Sequence, residues 1–135
     1  MKRSHLLLTV MLLTLFINLF SQDIPIKIKV ECADQDLKNK VQSNLQNELL
    51  TKAKVKIVTV NPKYVLIANI VAVTDDDVIS QLAVFVVLTK AIDGSPERFE
   101  YLTSLLKSST LDDVKAKCSE VADKIDVDYL IKERQ

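Results

Sequence analysis

Residues 64–91 read YVLIANIVAVTDDDVISQLAVFVVLTKA, and this stretch decides the fold. Two long apolar runs, Tyr64 to Thr74 and Val78 to Ala91, flank the acidic triplet Asp75-Asp76-Asp77. β-branched and aromatic residues suit strands, and a short polar interruption between two such runs predicts a hairpin. Both runs are apolar on both parities. Val65, Ile67, Val71 and Val73 fall on one, and Leu66, Ala68, Ile70 and Ala72 on the other. In the second run, Ile79, Ala83, Phe85 and Val87 oppose Leu82, Val84, Val86 and Leu88. A sheet wetted on one side alternates apolar with polar residues, and this one does not.

Working outward, Ile24, Ile26, Ile28, Val30 and Cys32 alternate with Pro25, Lys27, Lys29 and Glu31, the period of a half-buried strand. Pro25 fits an edge position or the first rung of pairing. Leu37, Val41, Leu45 and Leu49 then recur every four residues and predict an amphipathic helix. Asp34, Asp36 and Glu48 each precede a lysine by four residues, a spacing that supports an exposed helix face. Val55 to Val60 reads as a short strand ended by the turn Asn61-Pro62-Lys63. Asp93-Gly94-Ser95-Pro96 is a second turn, and Phe99 to Lys107 a further strand. Thr110 is the expected N-cap of a closing helix carrying Leu111, Val114, Cys118, Val121, Ile125 and Tyr129. That helix is expected to reach about Leu130, bent near Asp126-Val127-Asp128.

The order is β-α-β-β-β-β-α, an α+β domain with a mixed four- to five-stranded sheet and two helices. A helical crossover makes the first two strands parallel, and the short later links are expected to make the remaining pairs antiparallel. Two helices on one face would leave the other open. The expected partner surface is then Val65, Ile67, Val71, Val73, Ile79, Phe85 and Val87.

Lys2 and Arg3 precede an almost unbroken apolar run from Leu6 to Phe20, after which Ser21-Gln22 opens polar sequence. This is the layout of a secretory signal peptide, with an apolar core shorter than the ~20 residues that span a bilayer. Residues 1–21 are therefore read as a leader and 22–135 as one exported domain, periplasmic or extracellular. Removing the leader leaves 16 basic against 18 acidic residues, a net charge of about −2. With that balance, and no aromatics interleaved among the lysines, nucleic acid is not an expected partner.

The leader also carries His5, the only histidine, so the exported part has no imidazole for triad catalysis or histidine–zinc sites. A single glycine, Gly94, cannot build a phosphate-binding loop. No cofactor or metal is expected. Asp75-Asp76-Asp77 lacks the ligand spacing of a calcium loop and reads as a solvated hairpin tip. Cys32 and Cys118 are a candidate disulfide in an oxidising compartment, or else two small buried hydrophobes.

These features describe a non-catalytic binding or assembly-accessory domain acting through a sheet face or strand edge. Its partner would be another protein, a second copy or an apolar ligand. The element order is similar to that of small periplasmic assembly and accessory domains, a likeness of shape carried by no motif. One alternative is a histidine-free hydrolase with paired carboxylates. The other is a membrane-tethered protein whose leader stays attached, since Leu19 is bulky for a position two before the cut.

Intact mass of the exported protein is expected to show loss of about 21 residues, as a leader of this layout implies. A full-length mass would identify the tethered form, and alkylation with and without reductant reads the state of the two thiols.

Overall fold

The computed structural model describes residues 23–93 and 97–135. The leader and residues 94–96 of the expected turn lie outside the described residues. The elements are β1 (Ile24–Glu31), α1 (Gln35–Leu50), β2 (Val55–Ile57), β3 (Tyr64–Asp75), β4 (Val78–Ala91), β5 (Phe99–Ser109) and α2 (Val114–Ile125). One sheet runs in the order β2-β1-β3-β4-β5. The expected mixed sheet with two helices is what forms.

Pairing follows the alternation of the sequence. β1 is parallel to β2, with Ile24 opposite Val55. It is also parallel to β3, with Ile26 opposite Tyr64. β3–β4 and β4–β5 are antiparallel. The link after β2 departs from expectation, since its short length predicts an antiparallel neighbour. Instead, Val58 N–H donates to Ile26 C=O at 2.9 Å and Lys63 N–H donates to Pro25 C=O at 2.8 Å. Successive carbonyls of β1 point to opposite sides, so residues 58–63 step across that strand and enter β3 on its far side. Pro25 therefore sits in an interior strand, but at the first rung, where β3 has no earlier residue paired to it.

α1 starts because Asp34 caps it: its carboxylate accepts from Leu37 N–H at 2.8 Å. Leu37, Val41, Leu45 and Leu49 form its buried stripe. The three acid–lysine pairs read along α1 do not close as ion pairs. Asp34 serves as the cap, Lys40 donates to Leu111 C=O at 3.1 Å, and Lys52 pairs with Asp123. Glu48 accepts from Ser119 Oγ at 3.1 Å. These side chains join α1 to the closing segment, holding the two helices side by side.

α2 begins later than expected. Thr110 does not cap it; its hydroxyl lies 3.3 Å from Asp113, and a turn fills the gap before Val114. Val114, Cys118, Val121, Ala122 and Ile125 face the core at helical spacing. A π-helical turn, Asp126–Leu130, then inserts an extra residue per turn, followed by a last helical turn, Ile131–Glu133. This is the expected bend, and it lets Leu130 be fully buried while Val127 stays exposed.

Both helices pack on the same side of the sheet. Their stripes merge with Ile26 and Ile28 of β1, Leu66 and Ile70 of β3, and Leu82 and Val86 of β4 in one continuous core. Dispersion and removal of apolar area from water bind these layers, at about 1.5–3 kcal/mol for each fully buried Leu, Ile or Val.

The end of the chain is fastened to the sheet. Glu133 accepts from Tyr64 Oη at 2.6 Å, from Lys90 Nζ at 3.0 Å and from Lys63. Burial opposes ionisation of this carboxylate, but the bonds from Lys63, Tyr64 and Lys90 outweigh it and draw the pKa down to about 2. Burial first, then the bond to Glu133, raises Tyr64 well above a free phenol.

A group with a depressed folded pKa stabilises above its unfolded value and loses that contribution as pH falls through the folded one. Glu133→Gln is therefore expected to lower stability at pH 7 by about 1–2 kcal/mol, a figure discounted for the solvent around Lys63. The gap between wild type and variant should close as pH falls from near 4.5 toward 2, as read by thermal melts across pH.

Candidate interaction surface

The sheet side away from the helices carries the second parity of β3 and β4. Neighbouring residues differ sharply: Ile70 is 7% exposed and Val71 63%, while Val86 is 1% exposed and Phe85 42%. Val73 is 53% exposed, and Leu106 of β5, 70%. Register gathers them, because Asn69 lies opposite Phe85, Val71 opposite Ala83, and Phe85 opposite Leu106. Cross-strand partners stand about 5 Å apart, so these side chains form one contiguous apolar area. Val65, Ile67 and Val87 continue it at half-buried positions.

Ile79 is the exception among the residues expected here. The register of β3–β4 shifts between Val73 and Thr74, so Val73 faces Gln81 and Thr74 faces Ile79, leaving Ser80 unpaired. Ser80 Oγ donates to Val73 C=O at 3.1 Å within this bulge. One extra residue reverses the parity, and Ile79 packs against the helix-side core. Residue types alone do not mark the bulge.

Two members of the surface escape a reading of the sequence. Tyr101 and Leu106 lie on β5, whose run of mixed residues shows no clean alternation. A second bulge explains why. Leu88 pairs with Thr103 and Thr89 with Tyr101, so Leu102 is the extra residue and the period breaks there.

The lower half of the face is hollowed. Residues 59–62 border a groove of about 630 Å³ that is also lined by Lys27 and Lys29 of β1, by Val65 and Ile67 beside them on β3, and by Phe99. A second, polar hollow of about 670 Å³ lies at the end of the sheet, among Pro25, Lys54, Lys56, Lys63, Glu133 and Arg134. Glu133 there is saturated by three donors and stays charged far below neutrality. Glu120 is likewise held at about 2, by Lys107 first and then Lys117. Glu31 is lowered by Lys29. A carboxyl acting as a general acid needs its pKa raised, and these shifts run the other way. Among the described residues, no group of three or more His, Cys, Asp or Glu side chains could hold a metal ion.

The two cysteines are unbridged. Cys118 is buried, Cys32 half-buried just past β1, and both thiols are free. Burial, then the charge of Glu48, pushes the Cys118 thiol up to about 11, so it packs as a small hydrophobe.

No family model matches the chain, and no curated protein matches it. Solved structures resemble it in fold. A single-substitution variant of the PelC dodecamer from Paraburkholderia phytofirmans matches with 15% identity and a TM-score of 0.50, over 78% of this chain and 87% of that one. The hypothetical protein CT253 from Chlamydia trachomatis matches with 11% identity and a TM-score of 0.45, over 68% and 75%. Rare lipoprotein B from Shewanella oneidensis matches with 14% identity and a TM-score of 0.37, over 81% and 96%. At these identities the likeness is one of fold alone.

The two sides of β3 separate in a stability measurement. Measured on protein dilute enough to be monomeric, Val71→Asp is expected to change unfolding free energy by less than about 1 kcal/mol, whereas Ile70→Asp strands a charge in the core and should unfold the domain. Urea titrations followed by circular dichroism read both. Equal losses would place Val71 in the core.

Proposed function

We propose that this chain is an exported, non-catalytic assembly domain that works by presenting its open sheet face to a protein surface. The observation that carries this reading is the contiguous exposed row of Val71, Val73, Phe85 and Leu106. Single exposed apolar residues are ordinary, but a patch continuous across three strands is what interaction surfaces look like. The leader-like start, residues 1–21, supplies the route out of the cytoplasm. The lack of histidine beyond His5, and acids held as fixed charges by lysines, favour binding over catalysis. Its fold neighbour PelC is a dodecamer, which supports a role in assembly.

Photo-cross-linking in the secreting cell tests this. A photoreactive phenylalanine analogue at position 85 is expected to yield a discrete protein adduct in the exported fraction. The same analogue at Lys115, exposed on α2, should yield none. Adducts from position 115 alone would overturn the choice of face, and a chain retained in the cytoplasm would overturn export.

A further inference from the structure

We infer that the open face is covered by a second copy of this chain, packed face to face with its strands reversed. This rests on the reading of the open face as the working surface and names its occupant. The argument is one of charge and shape. Asp75, Asp76 and Asp77 stand exposed at the β3–β4 tip. At the opposite end of the sheet, on its β1–β2 side, Lys54 and Lys56 are exposed and Lys27 is half-buried in the groove lining, while the exposed acids Asp23, Asp93, Glu97 and Glu100 also lie at that end. Among the described residues, none of the three tip aspartates and none of these three lysines takes part in an ion pair. An apolar strip roughly 35 Å long, the rise of about eleven strand residues, separates the acidic tip from that end.

Packed in the same direction, two copies would set their acidic tips against each other, whereas inversion brings each tip to the end that carries these lysines. The midpoint of the strip is the level at which Asn69 faces Phe85. A two-fold axis across the strands at that level lays Val71 and Val73 of one copy over Ile67 and Val65 of the other. Those two residues line the groove, so Val71 and Val73 of each copy face the hollow of the other. The acidic tip of each copy then reaches the lysine-bearing end of its mate. β1 stops at Glu31, leaving room above it for the loop 59–62 of the second copy.

The contact is isologous and closes on itself. Four strands spaced about 4.8 Å apart over about ten residues offer roughly 600 Å² per copy. Two copies together reach about 1,200 Å², the lower bound for a stable interface. Aligned packing of two twisted sheets is an ordinary arrangement for such faces.

Sedimentation velocity on the protein in the processed form the cell leaves it tests this. Wild type is expected to dimerise, and Phe85→Asp or Leu106→Asp to weaken dimerisation by about 100-fold or more without changing the circular dichroism spectrum. Reversing the tip (Asp75→Lys with Asp77→Lys), or the far end (Lys27→Asp with Lys56→Asp), should each weaken it about tenfold at low salt. Mixing the two reversed variants should restore pairing to within about threefold of wild type, because both contacts of the mixed dimer are again opposite in sign. Strands packed in the same direction would set like charges together in wild type and in each reversed variant alike, so neither reversal alone would weaken pairing. A monomer at all concentrations overturns the inference, as does an oligomer indifferent to Phe85→Asp or a mixture that fails to rescue. If the protein is monomeric yet position 85 still cross-links to another protein, the second copy is wrong and the choice of face stands.

Discussion

The two-residue period of a strand governs this molecule. Every apolar residue added to β3 or β4 must point either toward the helices or away from them. The described residues supply two long helices, α1 and α2, and both lie on one side. They are held there by the same interactions that hold them to each other: Lys40 on the Leu111 carbonyl, Glu48 on Ser119, and Lys52 on Asp123. The core is complete without the second parity. Val71, Val73 and Phe85 stand outside that core, each at least two-fifths open to solvent.

Much of this architecture is written in local pattern. Ile24 to Cys32 alternates cleanly because β1 has a core side and a side carrying lysines. Leu37 to Leu49 repeats every fourth residue because α1 lies on the sheet along one stripe. The hairpin is marked by three consecutive aspartates, which no buried strand could carry. The place of β3 beside β1 is not legible, because a loop of six residues gives no sign of which neighbour it delivers a strand to. The late start of α2 is hidden as well. Thr110 has the chemistry of a cap, but its hydroxyl is engaged with Asp113 one turn too early.

The candidate surface divides the same way. Parity alone places Val65, Ile67, Val71, Val73, Phe85 and Val87 on one face, since register in β3–β4 is regular from Tyr64 to Val73. It fails for Ile79 and for the β5 members at bulges, where one unpaired residue inverts all that follows. A bulge is set by the fit of two strands, so neither strand's own sequence announces it.

The bulge at Leu102 also bears on what this domain avoids. β5 is the longer of the two edge strands of the sheet, and a straight strand of its length would offer unpaired amides and carbonyls to any passing chain. The extra residue kinks that row, so a newcomer laid along it falls out of step partway. Growth by successive strand addition, the route to fibres, is thereby discouraged on the flank. The apolar area that stays open lies on the flat of the sheet, away from that flank.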